Sequence, residues 1–151
     1  MQMKWDLTQF YKSPEDPEIE RDKKIILEKA REFAKKWQGR TDYLSDPKLL
    51  KAALDDYEVF ICNYDNGGKP YFYFYLSNVL NQLDNNIRAK LNLATNFVLE
   101  IENIIRFFEL SLKNVRVMVP GYEHFLERII AEKNHILSEP EEKIMSLKAV
   151  S

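Results

Sequence analysis

Glycine and proline are scarce in this sequence, four and six among 151 residues, which leaves little material for the tight turns of a β-rich fold. Cysteine occurs once, at Cys62, so no disulfide can form within the chain, and a reducing, cytoplasmic compartment is expected. Only two histidines are present, His124 and His135. No apolar run approaches the ~20 residues needed to cross a bilayer, so no membrane partner is expected. The segment from Met1 to Phe10 carries Lys4 and Asp6 and has no apolar centre of the kind a signal peptide needs. Charge of one sign is not concentrated anywhere. Lys and Arg are interleaved with acidic residues to a net charge of −2, which excludes the basic footprint that nucleic-acid binding demands.

What the chain does contain is a globular composition, 45% hydrophobic and 30% charged, arranged with helical periodicity. The pattern predicts an all-α fold, an antiparallel helical bundle of five to six helices around one long central helix. It predicts a single helical domain over 1–151, with residues 1–12 as a packing arm. Ser13-Pro14-Glu15-Asp16-Pro17 starts the first helix, with Ser13 or Asp16 as cap and a proline where its missing N–H costs nothing. That helix runs to about Gln38 and stops at Gly39, its buried face being Ile19, Ile26, Ala30, Phe33 and Trp37, with Glu32 and Lys36 paired on the outside. A second helix opens at Ser45-Asp46-Pro47, buries Leu50, Ala53, Leu54, Tyr57, Ile61 and Tyr64, and ends at Asn66-Gly67-Gly68.

Tyr71 to Tyr75 are five consecutive aromatics, a strand by propensity alone. No second strand is available to pair with them, and Leu76, Val79, Leu80 and Leu83 continue at helical spacing. A third helix, buried nearly all round, is therefore expected. The fourth and longest spans about 86–112: Ile87, Leu91, Ala94, Val98, Ile101, Ile105, Phe108 and Leu112 form a regular seam, widened by Leu93, Phe97, Ile104 and Phe107. An apolar connector over 114–121 leads to a fifth helix bearing Tyr122, Leu126, Ile129 and Ile130. Ser138-Glu139-Pro140-Glu141 is a capping box for a sixth, with Ile144 and Leu147.

Catalytic motifs are missing. A hydrolytic zinc needs three ligands and an open position, usually with two histidines one helical turn apart, and no H-E-x-x-H occurs. His124 with Glu127 lacks a third ligand. Glu132 with His135 is one E-x-x-H, where a di-iron bundle needs two and further carboxylates. Cys62 beside Ile61 reads as a small core filler. Gly67-Gly68-Lys69 lacks the rest of a phosphate loop. No catalytic, cofactor-binding or metal-binding residue is expected in the chain. Two readings of the aromatic cluster stay open: core with hydroxyls at the rim, or a peptide-contacting or inter-domain surface made by Tyr71, Tyr73 and Tyr75.

Certain stretches carry a family likeness. They are Trp5-Asp6-Leu7 followed by Tyr11 and the Ser13–Pro17 helix start, then Phe107-Phe108-Glu109-Leu110, then the run from Tyr122 to Lys148 ending in L-S-E-P-E-E-K-I-M-S-L-K. Together they resemble the N-terminal region of oligoendopeptidase F and related peptidases of the thimet oligopeptidase family, over almost the whole chain. The resemblance implies N-terminal helices that form one wall of a deep channel admitting short peptides. It also implies a zinc ion held by H-E-x-x-H in a later catalytic domain, so none of the family's metal or catalytic residues carries over to a position here. The chain is then expected to be inactive alone, as a domain cut short before that catalytic part or a short relative without it. Its partners would be the catalytic domain and short peptides. A different reading makes it a stand-alone bundle that self-associates through the long helix, a homodimer joined by exposed apolar surface.

Overall fold

The computed structural model describes residues 6–64 and 67–136. Among them the chain is helical without a strand: α1 Pro17–Trp37, α2 Pro47–Tyr64, α3 Gly68–Leu80, α4 Asn85–Leu112 and α5 Glu123–Ile136, with 3₁₀ turns at Leu7–Gln9 and Asp42–Leu44. The all-α class and the long fourth helix are as the periodicity predicts. The sixth helix expected from Ser138, and Trp5 of the arm, lie outside the described residues.

Local chemistry sets the helix starts. Of the two caps open to α1, Asp16 is used: its side chain accepts from the amide of Glu18 at 2.9 Å and from that of Lys12 at 2.9 Å, with Pro17 opening the helix. Those two amides hold the Asp16 carboxyl below its usual range. Asp46 and Asp84 do the same for α2 and α4, accepting from the amides of Lys48 and Asn86, each at 2.9 Å. α1 ends as Gly39 takes a φ of +82°.

The chain divides into two compact units, one drawn from Met1–Gln38 and Asp55–Arg106, the other from Gly39–Leu54 and Phe107–Ser151. In the first, partners along α1 fix the direction of every neighbour. Lys36 bonds Asp56 (2.8 Å), the Phe33 and Tyr57 rings lie 5.9 Å apart, and Asp22 meets Lys69 at 3.4 Å. Ile19 then packs with Tyr73 and Phe74. As α1 numbers fall, α2 and α3 numbers rise without reversal. α2 and α3 therefore run end to end, both antiparallel to α1. α4 goes the other way: Lys90 bonds Glu15 at 3.2 Å, Ala94 packs near Ile19, and the Lys23 ammonium sits 5.3 Å from the Phe97 ring centre. It is parallel to α1 and antiparallel to α3.

The first unit's core includes Tyr11, Ile19, Tyr73, Phe74 and Ala94, with Leu7, Phe10, Tyr71 and Leu91 packed against it. All five predicted positions of the α1 face are buried. On α2, Phe60 is buried although the predicted stripe omitted it, whereas Tyr57, Ile61 and Tyr64 are half-buried. Most of the α4 seam is deeply covered, Ile101, Phe108 and Leu112 completely, but Leu93 points to solvent. α3 is not buried all round. It buries Tyr73 and Phe74 while Phe72, Tyr75, Val79 and Leu80 are exposed. The expected Glu32–Lys36 pair is replaced, because Lys36 reaches across to Asp56 and Glu32 takes Lys29 at 3.3 Å.

In the second unit Tyr43, Leu50, Leu54, Leu112, Val119 and Leu126 are buried. The Tyr43 hydroxyl meets Ser111 Oγ at 2.6 Å, and Ser111 donates onward to the Phe108 carbonyl at 2.8 Å, so Tyr43 is the donor in the first bond. The Arg116 amide donates to the Leu44 carbonyl at 2.9 Å.

Gly67 is the junction between α2 and α3, with φ +85°, and a Cβ there would lie 2.8 Å from Phe97 Cε1. Gly39 has a similar φ of +82° but open space around it. Gly39→Ala is expected to cost about 1–2 kcal/mol, the left-handed backbone alone. Gly67→Ala adds overpacking and should cost about 3 kcal/mol or more. Urea denaturation of both variants measures the difference, and equal losses would show that the Phe97 contact is no constraint.

Candidate functional site

Two concavities on the first unit, of about 320 and 230 Å³, lie side by side along the seam of α1 and α2 with Asn63 and Tyr64 lining both, a groove in two parts. Its α1 wall is Asp22, Ile25, Ile26, Lys29, Glu32, Phe33 and Lys36, residues three or four apart that line one helix face. The opposite wall is Asp56, Val59, Phe60, Asn63 and Tyr64, continued by Lys69 of α3. Ile25, Ile26, Phe33, Val59 and Phe60 supply the groove's apolar surface, with Val59 58% exposed, and Lys29, Glu32 and Asn63 lie among them.

Each end carries an ion pair anchored by a buried ring. At one, Asp56 Oδ2 accepts from Lys36 Nζ at 2.8 Å and from the Trp37 indole N–H at 2.9 Å. At the other, Asp22 Oδ2 accepts from the Tyr11 hydroxyl at 2.7 Å and faces Lys69 Nζ at 3.4 Å, which also sits 4.7 Å from the centre of the Tyr11 ring. Lys29 and Glu32 pair between them. Burial, and then the hydrogen bond to the Asp22 carboxylate, push the Tyr11 phenol far above its ordinary value. All three carboxylates of the groove already hold a donor. The arrangement suits holding an apolar segment rather than acid–base chemistry.

The residues singled out in the sequence separate. Tyr73 is core, its ring edge-on to Tyr11 at 5.2 Å. Tyr71, half-buried, stacks on exposed Tyr75 at 6.0 Å, and Phe72 joins them as an exposed aromatic. Helical geometry explains this, since side chains two apart point to different sides and those four apart share one. Cys62 is exposed, not a core filler, because the inward positions of that turn are Phe60 and Ile61. His124, Glu127 and Glu132 are exposed, and the side chain of His135 lies outside the described residues. Among the described residues no three His, Cys, Asp or Glu side chains stand where they could hold a metal ion. The long α4 seam, the basis for self-association, is spent inside the chain. No helix is long and apolar enough to cross a membrane among the described residues. The groove itself was not foreseen, although Ile25 beside Lys24 and Val59 beside Glu58 were apolar residues off the predicted stripes.

Residues 119–151 match the model of the family described as oligopeptidase F. The match contains the run from Tyr122 to Lys148 that carried the resemblance; the opening residues and Phe107–Leu110 lie outside it. Its part from Leu137 onward is outside the described residues. No curated protein and no solved structure matches the chain.

A phenol kept neutral by the fold contributes stability below its ordinary value of about 10 and loses it as the pH rises further. Tyr11→Phe should destabilise by about 1–2 kcal/mol at neutral pH, since the hydrogen bond goes to a charged group. Between about pH 9 and 11 the variant should lose less further stability than the parent protein. Denaturation midpoints across that range provide the check; identical alkaline slopes would refute a role for this phenol.

Proposed function

We propose that the chain is a non-catalytic helical N-terminal portion of an oligopeptidase F-like zinc peptidase and presents the α1/α2 groove as part of the wall that guides short peptides. The observation that carries this reading is the family match over residues 119–151. An all-helical architecture and a groove of neutral overall charge support it. The described residues do not fit a zinc ion, so the hydrolytic metal belongs, on this reading, to the catalytic part of the parent enzyme, its principal partner in a cytoplasmic setting.

The groove's dimensions define the peptide. From Asp22 to Lys36 the α1 wall is about 21 Å long at 1.5 Å per residue. An extended peptide of about six residues fills that length. Apolar side chains would pack on Phe33, Val59 and Tyr64, while the ion pairs at the ends face the peptide's charged termini.

A fluorescein-labelled, leucine- and phenylalanine-rich hexapeptide tests this by fluorescence anisotropy. Binding is expected with a Kd on the order of 100 µM, weakened about tenfold or more by Val59→Glu, which places an unpaired charge in the groove. With zinc added, no cleavage of the peptide should appear. Chelator-sensitive turnover by the chain alone, or binding indifferent to Val59→Glu, would overturn the proposal.

A further inference from the structure

The stretch from Pro70 to Leu83 contains no charged residue, and Lys69 and Asp84 stand at its two ends. Its inner side is spent on Tyr73 and Phe74. Its outer side leaves Phe72 46% exposed, Tyr75 46%, Val79 41%, Leu80 44% and Leu83 91%. Steps of three and four from Phe72 through Tyr75 to Val79 make a ridge along α3, and Leu83 lies exposed in the turn that follows the helix. Several other exposed apolar side chains stand beside a charge, Ile25 after Lys24, Val59 after Glu58, Leu99 before Glu100 and Leu110 after Glu109, whereas Leu93, Met118 and Ile130 stand singly without one.

We propose that this ridge pairs with the same ridge of a second copy of the chain, antiparallel about a two-fold axis. Three features select that occupant. The ridge carries no charge of its own to select a charged partner or to repel its twin. Its ends differ, aromatic at Phe72 and Tyr75, aliphatic at Val79, Leu80 and Leu83, so an antiparallel partner sets rings against aliphatic chains. The same arrangement keeps the two Lys69 ends apart and the two Asp84 ends apart, where a parallel one would oppose like charges; Lys69 stays paired with Asp22 and Asp84 stays the cap of α4. The exposures leave roughly 500 Å² of apolar surface per copy, at about 200 Å² for a whole side chain. Two copies would bury about 1,000 Å², the lower bound for a specific interface, which fits a reversible dimer of micromolar affinity.

Sedimentation velocity across roughly 5–500 µM reads the result. The protein should pass from monomer to dimer over that range, and Phe72→Lys or Leu83→Glu should each hold it monomeric. Leu83 is so exposed that its substitution leaves the fold intact, checked by an unchanged melting temperature in dilute solution. In the antiparallel dimer Phe72 faces the Leu83 end of its partner, so an equimolar mixture of the two variants should regain a dimer through one Lys–Glu pair. A monomer at every concentration would leave the ridge to some other protein and overturn the proposal. So would a dimer insensitive to Leu83→Glu, or variants that fail to rescue one another. None of these outcomes depends on peptide binding in the groove.

Discussion

The close approach of Gly67 to Phe97 sets the register of the first unit. A Cβ at this position would stand 2.8 Å from Phe97 Cε1 and force the ring to shift, and a side chain would strain the left-handed backbone found there. Because glycine avoids both, α3 begins against the Phe97 ring and continues along α1 in the direction of α2. The same Phe97 ring lies under the Lys23 ammonium. One aromatic side chain thus sits where α1, the start of α3 and α4 come together, and a shift of Gly67 would be felt in all three.

The groove follows from that path. The smaller concavity lies where α2 gives way to α3, beside Asp22, Tyr64 and Lys69, and the larger one lies along α2 beside Phe33 and Val59. Trp37 and Tyr11 fill the space beyond the groove's two ends, each donating to an aspartate that also holds a lysine. Ion pairs this exposed add little to stability by themselves. Their effect is on shape and selectivity. They place charge at both ends of the groove, and the Lys29–Glu32 pair adds a third polar point between them.

How much of this was legible in the sequence depended on the range of the interaction. Local effects were readable. Asp16-Pro17 and Asp46-Pro47 start helices because a carboxylate can reach amides two residues on, and Gly39 ends one because it tolerates positive φ. The α4 seam was readable because its polar outer face marks which side turns inward. α3 has no such marker. With apolar residues on every side, its periodicity could identify a helix but not choose the buried face, so Tyr71, Tyr73 and Tyr75 were grouped although Tyr73 turns away from the other two. Lys36 and Cys62 failed differently. Each was read from its nearest neighbours in sequence, while Asp56 on another helix decides the first and the inward turn of Phe60 the second. The groove is a property of two helices side by side, and neither segment shows it alone.

Regularity of pattern and availability for association are therefore separate quantities. The most regular stripe in the chain, that of α4, is mostly covered by the chain's own side chains. The least patterned helix, α3, has more apolar surface than its neighbours can cover, and the surplus remains outside. A surface of that kind, without a charge to pair or to strand, loses little on meeting another of its own type, because no ion must be desolvated. A groove bounded by ion pairs differs in that its apolar surface lies beside charges already paired. The two surfaces thus differ in where charge is placed rather than only in how much apolar area each contains.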